Sequence, residues 1–169
     1  MNKSFSLAID KKQIIILTQF ITLVFVASIA PFFHNQLITG SIVNATLFIA
    51  TTMLGAQAGI LVGLIPSVIA MSTGLLPAVL APMIPFIMLG NSLLVFTYKS
   101  LHNRNYWWAV LSASLLKFSF LYFSSFIITG LILKKEIAEQ VAVMLSWPQL
   151  LTALLGALIA FGFLRIYKR

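Results

Sequence analysis

The chain has 169 residues, of which 60% are hydrophobic and only 8% charged, where a soluble domain carries roughly 25% charged residues. So few charges cannot coat a water-facing surface, which excludes an ordinary soluble globule. The net charge of +8 does not point to nucleic acid, because the bases sit at the ends of apolar runs and not in a patch.

The first apolar run, 13–33, follows Lys11 and Lys12 and ends at Pro31 and the polar His34-Asn35-Gln36 group. It is ~20 residues long, more than a signal-peptide core needs, and no small-residue cleavage site follows it. It reads as a retained first helix. The second span is 38–54, stopped by Gly55, and the third is 56–73, fading at Ser72-Thr73-Gly74. Pro77, Pro82 and Pro85 then crowd the stretch 75–85, so an irregular or re-entrant segment is expected before a fourth helix over 82–98. Irregular backbone at membrane depth survives only against protein or a cavity. This stretch is either a cavity wall or an interfacial loop.

Residues 99–105 are the clearest polar connection. The fifth span, 106–133, opens on Tyr106, Trp107 and Trp108, which look like an interfacial anchor. It is longer than the ~30 Å hydrocarbon core requires, so it tilts or projects. Residues 134–146 form an amphipathic connection. The sixth span is 147–167, with Ser146 as a candidate N-cap and Pro148 in the first turn, where its missing N–H costs nothing. The expectation is an all-α, six-transmembrane-helix bundle forming one membrane domain over 1–169, multi-pass in the cytoplasmic membrane.

Charge sets the expected orientation. With both termini in the cytoplasm, the inside segments hold Lys3, Lys11, Lys12, Lys99, Arg104, Arg165, Lys168 and Arg169. The outside connections hold only Lys134 and Lys135, offset by Glu136 and Glu139. An even number of spans satisfies this positive-inside bias.

Lys117 is the most informative residue. It lies near the middle of the fifth span among Leu115, Leu116, Phe118 and Phe120, and a lysine at that depth costs at least ~2.5–3.5 kcal/mol on insertion scales. One reading is a cation that meets an anionic ligand. The other is a snorkelling lysine or a hydrogen bond to a neighbouring helix. The only acids are Asp10, Glu136 and Glu139, so no carboxylate within the spans can pair with it. Ser114, Lys117, Leu121 and Ser124 share a helical face. Asn44 and Asn91 each interrupt an apolar run, and each needs either a ligand or an interhelical partner. His34 and His102 are isolated from one another and from carboxylates, so no metal site is expected.

Several chemistries are excluded by what is missing. Cysteine is absent, so there is no disulfide, thiol nucleophile or Cys-based metal site. There is no H-E-x-x-H sequence, no Walker sequence, and no Asp after Asp10, which argues against a membrane protease and against ATP hydrolysis by this chain. With no intramembrane carboxylate, proton-coupled pumping also lacks its usual relay. Neither an enzyme nor a resident cofactor is expected. Small residues recur at Gly55, Gly59 and Gly63, and at Ala153, Gly156, Ala157 and Ala160, letting helices approach closely inside the bundle or against a partner subunit.

The stretches ITGSIVNA (38–45), Leu54-Gly55, AGILVGL (58–64), APMIPFIMLGN (81–91) and WPQLLTALLG (147–156) resemble the substrate-binding S components of energy-coupling factor (ECF) transporters, over nearly the whole chain. The resemblance implies a six-helix bundle that binds a vitamin or related micronutrient from outside. Its partners would be a membrane coupling subunit and two cytoplasmic ATPases. It implies a ligand region made by the first loop and helices four to six, here His34, Asn35, Gln36, Asn91, Lys117, Tyr122 and Gln149, with Lys117 suiting a carboxylate or phosphate. Family members often bear a small-xxx-small docking patch on helix one. The nearest match here, Val26-Ala27-Ser28-Ile29-Ala30, departs from a strict Ala-x-x-x-Ala. The competing expectations are a scaffold subunit of rod-shape type without a ligand, and a small independent carrier.

Overall fold

The computed structural model describes residues 10–72, 78–131 and 135–167. Among the described residues there are seven α-helices and no strand. These are α1 (Lys11–Ile29), α2 (Gln36–Met53), α3 (Ala56–Ser72), α4 (Ile84–Leu101), α5 (Tyr106–Leu131), α6 (Lys135–Met144) and α7 (Trp147–Tyr167). A 3-10 turn, Ala30–Phe33, continues α1, and a second, Ala78–Met83, leads into α4. Pro77, Lys3, Lys134, Lys168 and Arg169 lie outside the described residues.

Among the described residues five stretches are long and apolar enough to cross a membrane: Lys11–Phe33, Gln36–Met53, Ala81–Leu101, Tyr106–Gly130 and Val141–Tyr167. Apolar α3, expected as a full span, has 17 residues, about 26 Å at ~1.5 Å per residue against a ~30 Å core. Ile15, Phe25, Phe96, Phe123 and Ile166 are each more than half exposed, a surface that lipid solvates and water does not. By helix length and hydropathy this is a multi-pass helical membrane protein.

The helix ends follow from local chemistry. Asn35 Oδ1 accepts from the backbone N–H groups of Leu37 (2.9 Å) and Ile38 (3.1 Å), starting α2. Asn105 Oδ1 does the same for Trp107 and Trp108 at the start of α5, satisfying donors that have no carbonyl within the helix. Gly55, at φ 96°, makes the reversal between α2 and α3 in a conformation costly for other residues. Ser146 does not cap α7 as expected. Its hydroxyl turns back and donates to the Val143 carbonyl at 2.7 Å, closing the turn after α6 instead. The described part of the proline-rich stretch is the 3-10 turn holding Pro82, and Pro85 falls in the first turn of α4. Prolines there forfeit few backbone bonds.

Helix α2 is the hub of the bundle. It packs most heavily on α7, then on α3, α1 and α4, while α5 lies against α4 and α7. The small residues serve these contacts. Ala153, Ala157 and Ala160 are fully buried, and Gly59 and Gly63 face Thr51, Val95, Leu47 and Asn91 of α2 and α4. Of the residues expected to dock a partner, Ala27 and Ala30 are fully buried in the chain's own interior, and only Val26 is exposed.

Candidate functional site

The polar residues of the apolar spans converge. Lys117 lies about 16 Å along α5 from Tyr106, close to mid-membrane by the helical rise, and only 3% of it is exposed. It does not snorkel. Its Nζ donates to Asn44 Oδ1 at 2.7 Å and to Asn91 Oδ1 at 2.8 Å. One lysine thus fastens α5 to both α2 and α4.

The two amides are oriented from their other ends. Asn44 Nδ2 donates to the Gly40 carbonyl at 2.8 Å and to Thr152 Oγ1 at 3.3 Å. Asn91 Nδ2 donates to the Gly63 carbonyl at 3.2 Å. With both NH2 groups committed, both amide oxygens are left to face the ammonium. Thr152 Oγ1 in turn donates to the Gln149 carbonyl at 3.1 Å. A continuous polar chain therefore runs from α7 through α2 and α5 to α4 and α3.

Three protons are available on an ammonium, and two are used. Ser114, one turn before Lys117 on the same buried face, and Ser41, one turn before Asn44, have buried hydroxyls with no partner. The centre of the bundle therefore has unspent hydrogen-bonding capacity beside a basic group. Among the described residues it holds no carboxylate: Asp10 precedes α1, and Glu139 is on α6. Among the described residues no three His, Asp or Glu side chains gather as a metal site would require.

The remaining expected site residues sit elsewhere. Gln36 Nε2 and Gln149 Nε2 both donate to the Met144 carbonyl, at 2.7 Å and 3.0 Å, forming a second polar cluster at the α6–α7 junction. His34 and Asn35 are exposed in the α1–α2 connection, His34 at φ 49° as the cap of the 3-10 turn. Tyr122 is 39% exposed in an aromatic ladder with Phe118, Phe123 and Phe126. Lys117, Asn44 and Asn91 come together, Gln36 and Gln149 come together, and Tyr122 stands apart.

Thr152, Gly40 and Gly63 complete the central network and were not singled out for it from sequence. A glycine carbonyl acting as an acceptor leaves no sequence signal. Thr152 could have been found, since it is a polar residue inside the apolar run of α7.

The network predicts matched losses. The bond from Asn44 to Gly40 lies within α2, so Asn44 and Asn91 each make two bonds to other helices, and such membrane bonds average about 0.6 kcal/mol each. Asn44→Leu and Asn91→Leu should each cost roughly 1 kcal/mol, read from unfolding in a detergent titration. A loss confined to one of them would mean that the other amide does not hold the helices together.

Comparison with protein-family models, with curated proteins and with solved structures finds no match.

Proposed function

We propose that this chain is the substrate-capture subunit of an uptake system in the cytoplasmic membrane, and that Lys117 is the group that meets an anionic or zwitterionic micronutrient. The observation that carries this reading is a buried lysine at mid-bundle whose hydrogen bonds go only to neutral amides among the described residues, with unpartnered Ser114 and Ser41 hydroxyls one turn before Lys117 and Asn44 on their helices. An intramembrane cation held only by neutral amides is poised to exchange one of them for an anion. The resemblance to ECF S components supports the same reading. In it α3 completes a sixth crossing, both termini are cytoplasmic, and the energy comes from a coupling subunit and two ATPases. The chain captures and does not catalyse.

Purified protein is expected to gain several degrees of thermal stability from one member of a panel of anionic vitamins, and to show no transport without partner subunits. Lys117→Met keeps the aliphatic stem and removes the charge. It should weaken that ligand about a hundredfold, in the range seen for loss of one member of a buried charge pair. Unchanged affinity would remove Lys117 from the site. A flat response across the panel, with no ATPase copurifying, would sink the capture reading.

A second reading rests on the same lysine. Its side chain is sealed and both of its hydrogen bonds go to neighbouring helices, as a purely structural fastener in a scaffold subunit would have it. That reading expects Lys117→Met to change bundle stability alone, with no small molecule stabilising the wild type.

A further inference from the structure

A pocket of about 440 Å³ opens at the opposite end of the bundle from Gln36 and Gln149, well within the size range of small-molecule sites. It is framed by the end of α2, the end of α4, the start of α5 and the last turns of α7. Thr52, Tyr98 and Tyr106 form its floor, Phe161 and Leu164 its apolar wall, and Arg165 and His102 its basic rim.

The hydrogen bonds decide what this pocket can offer. Thr52 Oγ1 donates to the Phe48 carbonyl at 2.8 Å, so the 2.9 Å contact between Thr52 and Tyr98 is made by the Tyr98 hydroxyl donating. Tyr106 donates to the Ala157 carbonyl at 2.7 Å. Both phenol protons are turned into the protein. Arg165 is exposed and has no hydrogen-bond or ion-pair partner among the described residues. His102 Nδ1 is already taken up by the Lys99 carbonyl at 3.2 Å, so the donor left facing the pocket is the Arg165 guanidinium, whose fork fits the paired oxygens of a phosphate.

The depth fits as well. Trp107 and Trp108 are 46% and 68% exposed at this end, at the level where aromatic belts meet lipid head groups. Two further cations lie at this end, Lys99 in the last turn of α4 and Arg104 in the following loop. Basic pockets between helices at this level hold anionic head groups.

We propose that this pocket is a phosphate site, with Arg165 as the charged ligand, and Phe161 and Leu164 as the wall for the apolar part of the molecule. The phosphate belongs to an anionic lipid head group or to a free phosphate compound. The site is separate from Lys117 and stands whether or not the capture reading holds.

Native mass spectrometry of the protein in neutral detergent tests it, with phosphatidylglycerol or phosphatidylcholine titrated in and inorganic phosphate as competitor. Phosphatidylglycerol should be retained in preference to phosphatidylcholine. Arg165→Gln should weaken it about tenfold, as expected for loss of a charge-assisted pair. Arg104→Gln removes the same charge from the same end, outside the pocket, and should weaken it less than about twofold. Both residues are exposed, so neither change disturbs the helix packing. Displacement by millimolar inorganic phosphate, lost in Arg165→Gln, assigns the site to a free phosphate compound; retention of the lipid against phosphate assigns it to the head group. Equal losses in the two variants would mean a diffuse surface field, and binding of neither probe would mean no site. Either result overturns the proposal.

Discussion

Lys117→Ala is expected to destabilise the folded bundle by roughly 3 kcal/mol. The sign is not obvious, because removing a charge from hydrocarbon should help. The insertion cost of a mid-membrane lysine, ~2.5–3.5 kcal/mol, applies to a lone α5 in the bilayer as well as to the assembled bundle. It largely cancels between the two states. What does not cancel is specific to assembly: two short hydrogen bonds across helices, each worth up to ~1.7 kcal/mol in a membrane, and the packing of the lysine stem, whose loss leaves a void. The removal also orphans Asn44 Oδ1 and Asn91 Oδ1 in a region without water. Steric trapping or a detergent denaturation series would measure the loss. A change below about 1 kcal/mol would show that α5 does not depend on this lysine for its place. The companion Lys117→Met keeps the packing, so its stability loss should be near half that of Lys117→Ala.

Gly156→Ala should have the next largest effect, about 2 kcal/mol, although it adds a single methyl group in a helix, where alanine is ordinarily favoured over glycine by up to ~1 kcal/mol. A Cβ at 156 would lie 2.7 Å from Asn44 Cβ, 2.8 Å from the Ala45 nitrogen and 2.8 Å from the Ser41 oxygen. Two of those three atoms are backbone and cannot rotate away. Helices α2 and α7 would have to separate, moving Asn44 away from Thr152 and loosening its hold on Lys117. Gly162→Ala is the control within the same helix. Nothing lies within 4 Å of a Cβ there, so that variant should be neutral or slightly stabilising. Equal responses at 156 and 162 would mean that the close approach of α2 and α7 contributes nothing.

The membrane character and most of the helices were legible in the sequence, because hydrocarbon demands long apolar runs and closed backbone hydrogen bonding. Asn44, Asn91 and Lys117 stood out for the same reason, as polar atoms where polar atoms are costly. Their mutual contact was not legible. It depends on which face each helix turns inward, and these helices are apolar nearly all round, so periodicity carries little directional signal. The small residues were ambiguous in a related way. Gly59, Gly63 and Gly156 promised close packing without saying against what, and the answer is α2, α4 and their own bundle. Ser146 misled because an N-cap is a matter of side-chain direction, and its hydroxyl found an acceptor behind it at Val143. The Arg165 pocket had no sequence signature, since its parts come from four separated helices.

The pairing of α2 with α7 also sets a schedule for biosynthesis. Asn44 and its partner Thr152 are 108 positions apart in the chain, a separation that takes roughly 5–20 s to translate at ~5–20 residues per second. Throughout that interval the nascent protein carries Ser41 and Asn44 without their last helix, and Lys117, 73 positions after Asn44, joins them only late in it. During those seconds these polar groups lack the partners that the finished bundle gives them, in a solvent that offers none. The arrival of the final span closes the network.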